Sequence, residues 1–264
     1  EYFLNGYMTY NDDIYEITTN IYETEGLKLV ETNTFKGKNF FDLIDEISIW
    51  IKKGLSIPDN HINSTVDMPA SELLTSSLKA YKNYVQGYWN VWTANESVKH
   101  LEAAIKEDDE FAAAYFALVF AYTSDGKNTT RLQMLEKVLD LIYKIPETQR
   151  AYPRVIFYFD TKQLDKAEVL LKRHIKKFPY DLQGYALMGE IYSIQNKLKE
   201  TIDTWSKVID LHENVLKKNP DVAALLLRIG WVAMYNLGDY ELSLNAYDKY
   251  LSIFPDEVDV YDDI

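Results

Sequence analysis

The sequence predicts a mainly α protein, an α-solenoid of helical pairs preceded by a small α/β layer. Three observations predict it. From about residue 77 to 255, apolar residues recur at helical spacing, and a pattern of small and large residues returns at a fixed period. Gly and Pro are scarce, 10 and 7 in 264 residues, which favours helix over a turn-rich β-sandwich. The first 36 residues differ: they are rich in Tyr, Ile, Thr and Val, broken by short polar runs, as strands are.

Residues 2–10, 14–23 and 27–32 read as the three strands. Asn11-Asp12-Asp13 and Thr24-Glu25-Gly26 stand between them as turns, so an antiparallel meander is expected. A helix follows Gly37 and Lys38. Asn39 is its N-cap, with Asp42 three places on, and Phe40, Leu43, Ile44, Ile47, Trp50 and Ile51 keep helical spacing as far as Gly54. Three strands and one helix form a thin layer that needs a neighbour for stability. Periodicity is lost over 55–76, where Pro58, Asn60, Asn63, Ser64, Thr65 and Pro69 mark a linker. The expected organisation is a partial α/β domain over 1–57, a linker over 58–76 and a helical array over 77–264.

Within the array, Met188-Gly189-x2-Tyr192 follows Tyr185, and Ile229-Gly230 precedes the turn Gly238-Asp239-Tyr240, then Ser243, Tyr247 and Pro255. Tyr158, Ala167, Leu171 and Pro179 keep the same register. So do Tyr81, Tyr84, Tyr88, Leu101 and Ala104, which end at the acidic turn Asp108-Asp109-Glu110 before Tyr115, Leu118 and Tyr122. This resembles the tetratricopeptide (TPR) repeat, about 34 residues of helix–turn–helix with W-x2-L-G-x2-Y, then A-x3-F, then Pro. Small residues let two helices approach, large ones fill the space beside them, and Pro ends the second helix. Five helical pairs are expected, with an extra loop over 124–130, a second helix prolonged through 210–218, and a kink or late start at Pro153. His174 takes a place usually given to a small residue. Residues 258–264 read as the opening of a sixth repeat, with the expectation that the natural chain continues.

The run Leu74-Thr75-Ser76-Ser77-Leu78-Lys79-Ala80-Tyr81-Lys82-x-Tyr84-x2-Gly87, with Ala103-Ala104-Ile105 and Phe111-Ala112-x-Ala114-Tyr115, resembles the first repeat of bacterial proteins that join a TolB-like domain to a TPR array. Gly6-Tyr7 and Phe41-Asp42-x2-Asp45-Glu46-Ile47 are similar to the latter half of that domain, whose first strand and helix would lie before Glu1. Such modules often accompany a kinase, cyclase or DNA-binding domain, or belong to envelope proteins. The resemblance implies an interaction or sensory segment and supplies no activity.

Net charge is −13 and the pI about 4.8, so the chain gains nothing from counterion release on nucleic acid or from anionic membrane surfaces. A basic or neutral protein partner suits it better. The absence of Cys removes disulfides, thiolate nucleophiles and thiolate metal sites. It does not separate periplasm or cell envelope from cytoplasm. No stretch reaches the roughly 18 apolar residues of a membrane span.

No motif marks a catalytic, cofactor or metal site, and a non-enzymatic role is expected. Gly126-Lys127-x-Thr129 lacks the earlier Gly, the hydroxyl after Lys and the preceding strand of a phosphate loop. His61, His100, His174 and His212 have no ligand partner at helical spacing. Asp160 and Asp165 lack the pattern of a calcium loop. Three glycosylation sequons, at Asn63, Asn95 and Asn128, recur at the frequency an Asn-rich chain gives by chance.

The first helices of a TPR array line its concave face. The register places Lys82, Gln86, Trp89, Phe116, Phe120, Tyr152, Ile156, Phe159, Glu190, Arg228, Trp231 and Tyr235 there. An aromatic groove with two cations suits a helix or apolar peptide of a partner, not a carboxylate clamp. The expected function is a protein-interaction scaffold. The alternative is a regulatory segment of a larger signalling protein whose catalytic domain is absent. A third class, an enzyme with an acidic site, would need a closed pocket of converging carboxylates. Self-association is also open to repeat arrays.

Overall fold

The computed structural model describes residues 2–64, 68–89, 94–124, 128–213 and 220–255. Strands β1 (Tyr2–Asn11), β2 (Ile14–Glu23) and β3 (Lys28–Gly37) form an antiparallel meander in the order β1-β2-β3. Asp12 and Asp13 close the first hairpin at φ 52° and 60°, a conformation that Asp tolerates better than most residues. β3 runs to Gly37, beyond the end expected at residue 32. Pairing with β2 carries it on, because Phe35 lies opposite Ile17 and both rest under the following helix.

Helix α1 (Phe40–Gly54) is capped by Asn39, whose Oδ1 accepts from the Phe41 N–H at 3.0 Å. Its apolar stripe packs on β2 and β3 through Leu43, Ile47, Phe35 and Ile17. The indole N–H of Trp50 donates to Glu31 at 3.1 Å and pins the helix to β3. On the other side of the sheet, polar cross-strand pairs bridge the strands, Thr32 with Asn20 at 2.6 Å where it is exposed and Thr18 with Thr34 at 2.9 Å where it is part-buried.

The expected linker is not structureless. It contains α2 (Asp59–Ser64) and α3 (Ala70–Leu73), and residues 65–67 lie outside those described. Pro58 and Pro69 precede these helices, a place that Pro fits well. The Ala70 N–H donates to Asp45 on α1 at 2.9 Å.

Ten helices follow among the described residues, in consecutive pairs: α4 (Leu78–Trp89) with α5 (Ala94–Glu107), α6 (Ala112–Ser124) with α7 (Asn128–Asp140), and α8 (Ala151–Asp160) with α9 (Leu164–Lys177). Then come α10 (Leu182–Ile194) with α11 (Leu198–Leu211), and α12 (Pro220–Val232) with α13 (Tyr240–Ile253). The chain forms two compact units, Glu1–Pro146 and Glu147–Ile264. In the first, the rings of Phe40 and Phe41 lie 5.8 and 5.9 Å from that of Tyr81, so the thin α/β layer finds its neighbour in α4.

The second helix of each pair buries the same register. Ser97, Leu101 and Ala104 do so on α5, Leu135 and Val138 on α7, and Ala167, Leu171 and His174 on α9. Thr201, Trp205 and Val208 follow on α11, and Ser243, Tyr247 and Tyr250 on α13. Small residues on the first helices meet these large ones. A Cβ at Gly189 would fall on the Trp205 indole, and one at Gly230 would lie 2.7 Å from the Tyr247 ring. The helices cross where only Gly fits.

The departures resolve as follows. Pro153 is the third residue of α8, where its missing N–H costs nothing, so the helix starts late rather than kinking. Helix α7 resumes at Asn128, so the loop expected over 124–130 is narrower, and residues 125–127 lie outside the described set. The expected prolongation through 210–218 is corrected: α11 ends at Leu211 with His212 as its C-cap, and 214–218 are outside the described residues. The spacing still differs, since Thr201 to Ser243 exceeds a standard repeat by about two helical turns. The opening of a sixth repeat, at 258–264, is also outside the described residues.

Candidate functional site

In the second unit, helix α12 presents Arg228, Trp231 and Tyr235, spaced so that they share one face. All three are exposed; Trp231 is 51% and Tyr235 58% accessible. Their rings lie 5.4 Å apart at 42°. Tyr235 belongs to a π-turn, Ala233–Leu237, that ends α12 at Gly238, whose φ of 67° suits Gly. No sequence signal marked that turn beyond Gly238 itself.

Arg228 forms an ion pair with Glu190 on α10, and its guanidinium lies 6.0 Å from the Trp205 ring centroid. Arg228, one of the two cations of the expected groove, is therefore engaged by a carboxylate of the same face. The pair ties α10 to α12 and holds Arg228 beside Trp231. Ile194, one turn beyond Glu190 on α10, is 54% exposed and extends the apolar content of this side.

The register treated α8 as another groove-lining helix. This is corrected for Tyr152 and Ile156, which are each only 9% exposed and belong to the interior. On α8, Ala151, Tyr152, Val155 and Ile156 are buried, while Arg154, at the register place of a core Leu, is exposed. Phe159 is half-buried against Val155 and Leu171. Tyr152 is held in place by a polar network. Its hydroxyl donates to Asp181 Oδ2, which also lies 2.7 Å from Nε2 of buried His174 and accepts from the Gly184 N–H at 3.0 Å. Asp181 thus caps α10 and satisfies two buried groups at once. Burial, with the Asp181 carboxylate beside it, pushes the Tyr152 hydroxyl well above its ordinary pKa.

In the first unit, α4 carries Lys82, Gln86 and Trp89 on one face, all exposed, and α6 carries Phe116 and Phe120 in an edge-on pair 5.2 Å apart. Phe116 is half-buried and Phe120 exposed. α4 and α6 are in contact.

Among the described residues, no group of three His, Asp or Glu side chains could hold a metal ion. His100 lies 3.9 Å from Glu96, on the same helix. Gly126 and Lys127 lie outside the described residues, and Thr129 is in helix α7. No helix among the described residues is long and apolar enough to cross a membrane.

No family model and no curated protein matches the chain. Solved structures do. A chain of the APC/C hetero-tetramer Cut9–Hcn1 aligns over 69% of this chain and 35% of its own length, with a TM-score of 0.53 and 15% identity. The fold is of the tetratricopeptide type. MamA from Desulfovibrio magneticus RS-1 aligns over 69% of this chain and 98% of its own, with a TM-score of 0.47 and 16% identity. YrrB, described as a TPR protein with an unusual peptide-binding site, aligns over 69% and 90%, with a TM-score of 0.42 and 18% identity. At these identities the likeness concerns the fold alone.

Proposed function

We propose that this chain is a non-enzymatic protein-interaction scaffold, and that its second unit binds a helix or extended apolar segment of a partner against α10 and α12. One observation carries the reading: two large rings, Trp231 and Tyr235, stand exposed side by side next to the Arg228–Glu190 ion pair. Trp, Tyr and Arg are the residues that most often dominate binding energy at interfaces. Rings of this kind bring contact area at low entropic cost, and each has a polar tip for a rim hydrogen bond. A face lined by α10 and α12, the first helices of their pairs, is where a TPR array receives peptides.

The finer parts of the reading belong with it. The five pairs are five repeats, residues 258–264 carry the sequence pattern that opens a sixth, and residues 1–57 are a TolB-like α/β domain joined through the linker 58–76 to the array. Trp89, Phe116 and Phe120 form a second contact surface in the first unit, supported by the exposure of Trp89 and Phe120.

The test is capture of proteins from a lysate of the source cells on the immobilised chain, beside a Trp231→Ala/Tyr235→Ala variant shown by circular dichroism to be folded. A protein kept by the parent and lost by the variant supports the site and names the partner. Equal retention by both refutes it.

A further inference from the structure

We infer that the face shared by α8 and α9 is a separate binding site for an acidic peptide segment that carries an apolar side chain. A depression of ≈ 390 Å³ opens there, the size of a small ligand pocket. Lys166, Val169, Leu170 and Arg173 follow one face of α9, and Arg154 and Tyr158 share a face of α8. The floor is apolar: the Tyr158 ring, half-buried Leu170 and Val169, which is 52% exposed.

The rim is cationic. Arg154, Lys166 and Arg173 face a single carboxylate, Asp165, in a chain whose net charge is −13. Asp165 accepts from Gln195 at 3.5 Å, and Lys166 donates to Gln163 at 2.6 Å while lying 5.7 Å from the Tyr158 ring centroid. Among the described residues, neither Arg154 nor Arg173 has an ion-pair or hydrogen-bond partner. A guanidinium pairs best with a carboxylate, through two parallel hydrogen bonds. Two free guanidinium groups at the edge of an apolar floor therefore fit a segment that offers both carboxylates and a hydrophobic side chain. A small inorganic anion would leave Val169 and Leu170 uncovered, and a purely apolar segment would leave both Arg side chains without a role.

The test is fluorescence anisotropy of a labelled, end-blocked peptide of alternating Glu and Leu, titrated with the full chain and with Arg154→Gln/Arg173→Gln. Both side chains are exposed, so the fold should persist, which circular dichroism checks. Saturable binding is expected, at least about tenfold weaker in the double variant. Val169→Ser should weaken it about threefold, and Trp231→Ala/Tyr235→Ala should not change it, which separates this site from the aromatic one. No binding, equal binding by the double variant, or equal binding of the peptide with Gln in place of Glu would each overturn the inference.

Discussion

Asp181 shows how much one side chain can hold. It caps α10, accepts from Tyr152 and meets buried His174. Asp181→Ala removes a cap and leaves two buried polar groups without their partner, so a loss of about 3 kcal/mol is expected in urea unfolding. Gly189→Ala tests close approach directly. Its new methyl would overlap the Trp205 indole, and a loss of about 2 kcal/mol is expected by the same measurement. Glu168 is the clearest pH-sensitive group. Hydrogen bonds from Lys172, 2.6 Å away, and Lys197, 3.0 Å away, hold its pKa at about 2 against a usual 4.5. A depressed carboxylate stabilises the fold above its unfolded value. That stability is lost as pH falls from about 4.5 towards about 2, and Glu168→Gln should flatten this part of the stability profile.

Helix ends and helix faces differ in how far sequence determines them. Asn39→Ala should cost about 1 kcal/mol, because the cap it removes is local and seen in the structure. The same locality made α1 legible, as it did Met188-Gly189-x2-Tyr192 and the capped turn at Asp239: neighbouring residues set the cap, the crossing and the stop. Legibility failed where a distant partner decides. Pairing with β2, not composition, carries β3 to Gly37. Asp45 gives α3 a partner from another helix in a stretch that reads as linker. On α8, Tyr152 is drawn inward by partners on other elements, Asp181 and His174, which a register counted from Tyr158 cannot supply. The repeat register put Trp231 and Tyr235 on one face, where both are exposed with their rings 5.4 Å apart. The basic rim on α8 and α9 was missed, although an Arg at a core register place was its one visible sign.

At the scale of the whole molecule, charge governs approach and contact differently. A net charge of −13 repels acidic partners at a distance and draws basic ones. That field is screened within about 8 Å at physiological salt, so Arg154 and Arg173 can act at contact range on an acidic segment while the rest of the chain does not select for it. The aromatic site needs no such reversal and suits neutral or basic segments. The most direct measurement of the central claim is isothermal titration of the captured partner into the parent chain and into Trp231→Ala/Tyr235→Ala. Loss of two central aromatic contacts predicts binding weaker by about thirtyfold or more, with both proteins equally folded. Equal affinity for the two would contradict the account, and would leave those rings exposed without a binding role.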